Sequence, residues 1–360
     1  MPIREESFRI GCGRYIQGVG YIKKCGAEIL RLGTSPVIIG DTTSLEITRD
    51  KITESISGIC KKYRFTVHNG TCNEENAREI AENAKKEGYD VIVGVGGGVI
   101  MDFAKLCAYF AALPIVNIPT SSATCAAYAP LSVRYTADGR TVGARHYETE
   151  VDAVICDSEI IAAQPTRLLL SGAFDAMAKY LEIKQRFTEE SALGLSYAFA
   201  MARHSYDVIT KTIEKCIKDI KDGNIGFDVE NLIFTAIAAT GAISGIARGS
   251  NQCALAHKFY EAVRFLYQDN AAPYLHGEIV GIGLLLQNYF NGEKENNDSL
   301  LAVMKKHNMP YRITDIGIAA TDETMMAIYN NVLKTSAIDD TNEEECELFK
   351  NGLKYLWNIK

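Results

Sequence analysis

The sequence predicts an α/β domain with a parallel sheet over residues 1–164, followed by an all-helical domain over residues 165–360. Three observations predict this division. At 360 residues the chain exceeds the size at which one hydrophobic core usually stops growing. Its first half alternates short β-branched runs with helical stretches, the pattern of a parallel sheet covered by helices on both faces. After Pro165, apolar residues recur at intervals of three and four and strand-like alternation nearly disappears.

The expected strands are Val37-Ile38-Ile39, Phe65-Thr66-Val67, Val91-Ile92-Val93 and Ile115 to Ile118, with further extended pieces at Leu131 to Tyr135 and Val151 to Cys156. Helices are expected near Gly18 to Leu32, Asn73 to Glu87 and Val99 to Ala112. Pro165 suits an early helical position, which sets the domain boundary near residue 164. Thr341 followed by Glu344 reads as a capping box opening a last helix that runs to Trp357.

Composition excludes several function classes. Hydrophobic residues make up 47% and charged ones 23%, ordinary for a soluble globular protein. The net charge of -7 is spread without a long block of one sign, so no footprint for nucleic acid or an anionic membrane is present. A small-molecule substrate is the expected partner. The start MPIREESFRI carries charges where a secretory signal would be apolar, and this points to the cytoplasm. The apolar, uncharged run Leu232 to Ala247 is short and interrupted by Thr and Ser, so it reads as a helix buried in protein. Ten cysteines without a CxxC pair or a framework spacing read as reduced thiols.

The strongest local signal is VIVGVGGGVIMDFAK, residues 91–105, where an apolar strand runs through glycines into a helix. Glycines let a pyrophosphate approach the backbone, and the helix start offers free N–H groups and a favourable dipole. Gly96, Gly97 and Gly98 are therefore the expected phosphate cradle of a Rossmann-like sheet. The fingerprint GxGxxG lacks its last glycine, and the same residues also fit a mere tight connection. Asp102 falls in the helix's first turn, a favourable place for a carboxylate with or without a ligand. Asp41 ends a strand where an acid can hold an adenosine ribose and repel a 2′-phosphate, favouring NAD over NADP; it also fits a turn opener. Thr120 and Ser121 add hydroxyls suited to a phosphate or nicotinamide, or to a helix cap.

Of six histidines, His257 lies in an amphipathic helix and His276 at the start of the next one. Asp175 lies in the apolar helical segment SGAFDAMAKYLE, where an unpaired buried carboxylate is costly. Two imidazoles and one carboxylate from separate helices can converge on one divalent ion with a position left open. Each residue also fits a satisfied core position. His68, His146, His204 and His307 fall in polar settings and read as surface residues.

Together the three glycines, the Asp and the two His resemble the iron-containing alcohol dehydrogenase superfamily, most closely its glycerol dehydrogenase branch. The similarity runs over essentially the whole chain. It implies the fold shared with dehydroquinate synthase, and a homo-oligomer. It implies that Gly96-Gly97-Gly98 with Asp102 in GGGxxxDxAK binds the dinucleotide pyrophosphate, that Asp41 holds the ribose, and that Thr120, Leu131 and Tyr135 contact NAD. The implied metal ligands are Asp175, His257 and His276.

Two departures from that family bear on substrate. Glycerol dehydrogenases place an aspartate against a substrate hydroxyl where this chain has Cys125. Iron-type relatives place a fourth ligand, a histidine, where this chain has Lys179, so the resemblance implies three-ligand Zn2+, with other divalent metals as alternatives. Cys125 with Lys179 resembles the hydroxycarboxylate dehydrogenase relatives, which reduce 2-oxo acids. Lys179 near the open position can attract a carboxylate, or else reach solvent or pair with Glu182.

The expected activity is hydride transfer between NAD(P) and a small polar alcohol or 2-hydroxy acid, with 2-oxo acid reduction as the alternative. A lyase of the dehydroquinate synthase type generally uses Glu as its acidic ligand and needs clustered cations, neither of which the motifs supply. A protein that binds NAD and metal without turnover is separated by its silence on every substrate.

Overall fold

The computed structural model describes residues 10–136, 139–188 and 192–359. The charged first nine residues, read above for targeting, lie outside the described residues. Contacts divide the chain into two units. One holds Ile10–Pro165 together with Lys215–Ala242, and the other holds Thr166–Glu214 with Ile243–Lys360. A break thus falls at Pro165, and Lys215–Ala242 returns to the first unit.

The first unit is built on a six-stranded parallel sheet in the order β1-β8-β5-β4-β2-β3. Its strands are β1 (Tyr15–Gly18), β2 (Pro36–Gly40), β3 (Arg64–Val67), β4 (Val91–Gly96), β5 (Ile115–Pro119) and β8 (Ala153–Asp157). A separate antiparallel pair is made by β6 (Leu131–Tyr135) and β7 (Thr141–His146). The helices between them are α1 (Cys25–Leu30), α2 (Thr42–Ile56), α3 (Glu74–Lys86), α4 (Gly98–Ala111) and α5 (Ser158–Ala162). The central strands β2, β4, β5 and β8 are buried along their length, which is why they read as continuous apolar runs. Ile38, Val93, Val95, Val116, Ile118 and Ile155 join Ile22, Ile29, Ile52 and Ile56 in one core cluster.

From β2 the chain crosses through α2 to β3 on one side, while from β4 it crosses through α4 to β5 on the other. Adjacent β2 and β4 therefore form the topological switch point, where open α/β sheets leave a crevice at their carboxyl ends.

The remaining elements are helical: α6 (Thr166–Arg186), α7 (Leu193–Lys221), α8 (Phe227–Phe234), α9 (Thr240–Ala247), α10 (Leu255–Leu266), α11 (Gln268–Ala271), α12 (His276–Phe290), α13 (Asn297–Lys306), α14 (Asp322–Val332) and α15 (Glu343–Trp357). Within the second unit α6 packs along α12, α10 packs on α12 and α14, and α15 closes on α12 and α14. A short π-helical segment, Thr235–Ala239, joins α8 to α9. The stretch Phe227–Ala247 is long and apolar enough to cross a membrane by length and composition, and 67% of its most apolar window is buried in the protein.

The structure corrects several local expectations. Beyond the expected elements it adds β1, α2, β7 and α5. The region Gly18 to Leu32 is only a turn of 3-10 helix followed by the short α1. Asn342, one residue after Thr341, caps α15, its side chain accepting from the N–H groups of Glu344 and Glu345. Thr341 instead donates its hydroxyl to Asp339. His68 is not a surface residue: it is 7% exposed and its ring stacks on Phe103 with centroids 3.5 Å apart. His307 is half-buried and 3.0 Å from Glu214, whereas His146 and His204 are exposed. All ten cysteines are free thiols.

Candidate functional site

Asp175, His257 and His276 come together from three helices. Asp175 is buried in the middle of α6, His257 is buried in the first turn of α10, and His276 is the first residue of α12. Their ligand atoms form a triangle: Asp175 Oδ1 is 3.2 Å from His257 Nε2 and 3.4 Å from His276 Nε2, and the two nitrogens are 3.4 Å apart.

Each corner is held by local structure. At Gly277 a Cβ would fall 1.8 Å from the Ser171 carbonyl, so glycine lets the start of α12 press against α6. The Gly277 N–H also donates to Ser171 Oγ at 3.1 Å. Glu278 accepts from the Leu275 N–H and takes a bidentate pair from Arg167, fixing the turn that precedes His276. The His276 ring stands edge-on to Tyr260, with centroids 4.3 Å apart at 75°. Behind His257, Glu182 Oε2 lies 2.5 Å from Nδ1, which turns Nε2 toward Asp175.

The electrostatics favour positive charge at the triangle's centre. Burial alone would raise the Asp175 carboxyl, yet His276, His257 and Lys179 hold it well below the usual carboxylate range. Burial disfavours a charged His257, but Glu182 outweighs this and lifts the imidazole to about 10. One carboxylate oxygen and two imidazole nitrogens are a donor set for a divalent ion. Bonds of about 2.0–2.1 Å at tetrahedral angles separate neighbouring ligand atoms by about 3.4 Å, close to the three observed edges. The residues therefore fit a metal on one open triangular face.

Lys179 lies one turn beyond Asp175 on α6 and is only 5% exposed, so its charge stays inside the protein and acts on both Asp175 and His257. Glu182, two turns beyond Asp175, is the functional residue that sequence reasoning passed over except as a partner for Lys179. Its heptad spacing on an apolar helix was the available signal.

In the first unit, Asp41 and the three glycines flank the switch point between β2 and β4. Gly97 precedes α4 with no side chain capping the helix, and a Cβ there would meet nothing within 4 Å. The open approach and the uncapped N–H groups suit a phosphate. A Cβ at Gly96 would fall 2.8 Å from Ile100 Cβ and 3.1 Å from Asp41 Oδ2. Asp41 caps α2 through the Ser44 N–H at 2.8 Å, and Ser44 Oγ in turn lies 3.2 Å from Thr120 Oγ1, so residues after β2, β4 and β5 converge. Ser121 accepts from the Ala123 N–H.

Asp102 is turned inward from α4. It receives the Val133 N–H at 3.0 Å and pairs with Lys105 at 3.0 Å. Lys105 also donates to the carbonyls of Ala126, Ala129 and Leu131. This pair binds α4 to the loop and hairpin that carry Cys125, Leu131 and Tyr135. Cys125 is partly buried, and Leu131 and Tyr135 sit at the two ends of β6.

Comparison with known proteins agrees with this architecture. Residues 12–158 match the family model described as iron-containing alcohol dehydrogenase. A glycerol dehydrogenase of Thermotoga maritima is 28% identical over 88% of this chain and 86% of that protein. Hydroxycarboxylate dehydrogenase A of Escherichia coli is 29% identical over 69% of this chain and 68% of its own length. The crystal structure of glycerol dehydrogenase from Schizosaccharomyces pombe superimposes with a TM-score of 0.84 at 23% identity, covering 98% of this chain and 91% of that one, which shows the shared fold. With its parallel sheet, its helical second half and these relatives, the chain resembles the iron-containing alcohol dehydrogenases over residues 12–158 and glycerol dehydrogenases over most of its length.

Proposed function

We propose that this protein is a cytoplasmic dehydrogenase that transfers a hydride between NAD and a small polar alcohol or 2-hydroxy acid at a site held by Asp175, His257 and His276. The observation that carries the reading is the ligand triangle, with edges of 3.2, 3.4 and 3.4 Å. A divalent ion bound there, zinc by the three-ligand set, supplies Lewis acidity that polarises a carbonyl or acidifies an alcohol. The nicotinamide supplies or accepts the hydride.

The chain's own residues do the rest. Asp175 balances part of the ion's charge, and the two imidazoles fix its position from separate helices. Gly96, Gly97 and Gly98 with the start of α4 bind the pyrophosphate. Thr120, Ser121, Leu131 and Tyr135 line the remaining contacts with the dinucleotide. Asp41 disfavours a 2′-phosphate, which makes NAD the preferred form over NADP.

A second substrate reading, reduction of 2-oxo acids, is favoured by one observation: Lys179 is buried beside the triangle and its charge reaches Asp175 and His257. A substrate carboxylate gains a cationic partner there. Cys125, where family polyol enzymes carry an aspartate, removes one hydroxyl contact and points the same way.

The test is a panel of polyols, simple alcohols and 2-oxo acids run with NAD and NADP cofactors, on zinc-loaded and on chelator-stripped protein, read by absorbance of the reduced nicotinamide. Turnover that disappears on stripping and returns with zinc is expected. Full activity of the stripped protein would refute the metal reading, and silence on every compound would leave a binding module. Loss of 2-oxo acid turnover in Lys179→Met, with alcohol turnover kept, would assign the acid class.

A further inference from the structure

We infer that Glu182 is a positioning residue that fixes His257 at two points at once, through its ring and through its backbone, and thereby sets the affinity and the electronic character of the metal site. The inference rests on the reading of Asp175, His257 and His276 as metal ligands.

Glu182 is 0% exposed, and a carboxylate so placed needs every lone pair answered. Its Oε2 accepts from His257 Nδ1 at 2.5 Å, and its Oε1 accepts from the N–H groups of Ala254 and His257, each at 2.8 Å. The second pair of bonds matters because α10 begins at Leu255 behind Ala254, a residue with no capping side chain. Glu182 thus serves from a neighbouring helix as the N-terminal cap that α10 lacks.

One carboxylate therefore fixes the backbone of His257, which sets where Cβ projects, and the ring, which sets where Nε2 points. The same helix carries Asp175 two turns earlier. The separation between an Asp175 oxygen and His257 Nε2 is then governed by α6 alone, and does not depend on how loops arrange α10. A charged acceptor behind Nδ1 also raises the basicity of Nε2, strengthening it as a ligand.

The experiment uses full-length protein and two probe ions. Zinc affinity is measured by competition with a chromophoric chelator, and Co2+ is added to record its visible absorption spectrum, for wild type and for Glu182→Gln. Melting temperature is measured without metal. Gln keeps an acceptor for the α10 N–H groups but loses the charge behind His257. The expected result is a 10- to 100-fold loss of zinc affinity with a displaced Co2+ spectrum, while the metal-free melting temperature stays near wild type. Unchanged affinity and an unchanged spectrum would overturn the inference, as would a variant whose melting temperature falls while affinity holds.

If Glu182→Gln does not fold, nitrogen-15 histidine spectra of wild type decide. A protonated, hydrogen-bonded Nδ1 on His257, retained when zinc shifts Nε2, supports the inference, and an unprotonated Nδ1 refutes it. A wild-type protein that binds neither ion stoichiometrically would sink the metal reading itself, an outcome distinct from failure of the Glu182 role.

Discussion

His257 Nε2 and His276 Nε2 face each other at 3.4 Å, although their helices begin 21 residues apart at Leu255 and His276. Two imidazole nitrogens brought nose to nose beside a buried carboxylate form a cluster that a cation relieves. His276 is the more accessible of the two, with a side chain 28% exposed against 8% for His257, so it can be removed with less damage to packing.

His276→Ala should therefore fold, lose zinc affinity by more than ~100-fold and lose turnover in parallel. Metal content by atomic spectroscopy and steady-state rates check this. Bound zinc at wild-type stoichiometry in the variant would contradict the ligand assignment.

Gly96 and Gly97 should separate folding from nucleotide binding. Gly97→Ala adds a methyl where no atom lies within 4 Å, so melting temperature should hold while NAD affinity falls at least tenfold. Gly96→Ala pushes a methyl to 2.8 Å from Ile100 Cβ and should cost about 1–3 kcal/mol of stability as well. Thermal melts with fluorescence titration of the reduced cofactor distinguish the two patterns.

Lys105 is the buried cation that satisfies Asp102 and three carbonyls, and removing it strands all of them. Lys105→Met should destabilise the first unit by about 3–5 kcal/mol, the usual cost of breaking one side of a buried pair. Chemical denaturation followed by circular dichroism measures it, and a loss below ~1 kcal/mol would show the contacts to be incidental.

Glu74 gives a pH signature. Hydrogen bonds from Arg145 and Arg134 hold its carboxyl down at about 2 in the folded chain. A depressed acid contributes stability above its ordinary pKa of 4.5, and loses it as pH falls toward 2. The side chain is 32% exposed, so solvent screening limits the effect to about 1 kcal/mol. Glu74→Gln should flatten the acid limb of a melting-temperature profile between those pH values and lower the plateau at neutral pH. An identical acid limb in both proteins would refute the clamp.

Much of the sheet was legible because β2, β4 and β5 are buried on both faces and so read as unbroken apolar runs. The helix α2 was not, since its sequence TTSLEITRDKITESI mixes β-branched residues with charges and lacks a clean apolar stripe. Asp41, read either as a ribose contact or as a turn opener, also caps this helix. His68 sits among polar neighbours in sequence, and only the fold reveals Phe103 against its ring. Asp175, His257 and His276 were legible through their apolar helical settings and a family pattern. Glu182 offered only its heptad spacing from Asp175, and nothing local announces that α10 has no capping side chain of its own. The return of Lys215–Ala242 to the first unit was also hidden, since helical periodicity says which face is apolar and not which sheet or helix covers it.

That return has a consequence for biosynthesis. Gln17 on β1 bonds Glu230 on α8, and Ser158 does the same, so the strand that edges the sheet leans on a segment made far later. A ribosome that has released the first 165 residues has not yet supplied this support. At the usual pace of translation several more seconds pass before residue 242 emerges. During that interval the nascent sheet is incomplete, and a chaperone that shields its β1 edge would have work to do.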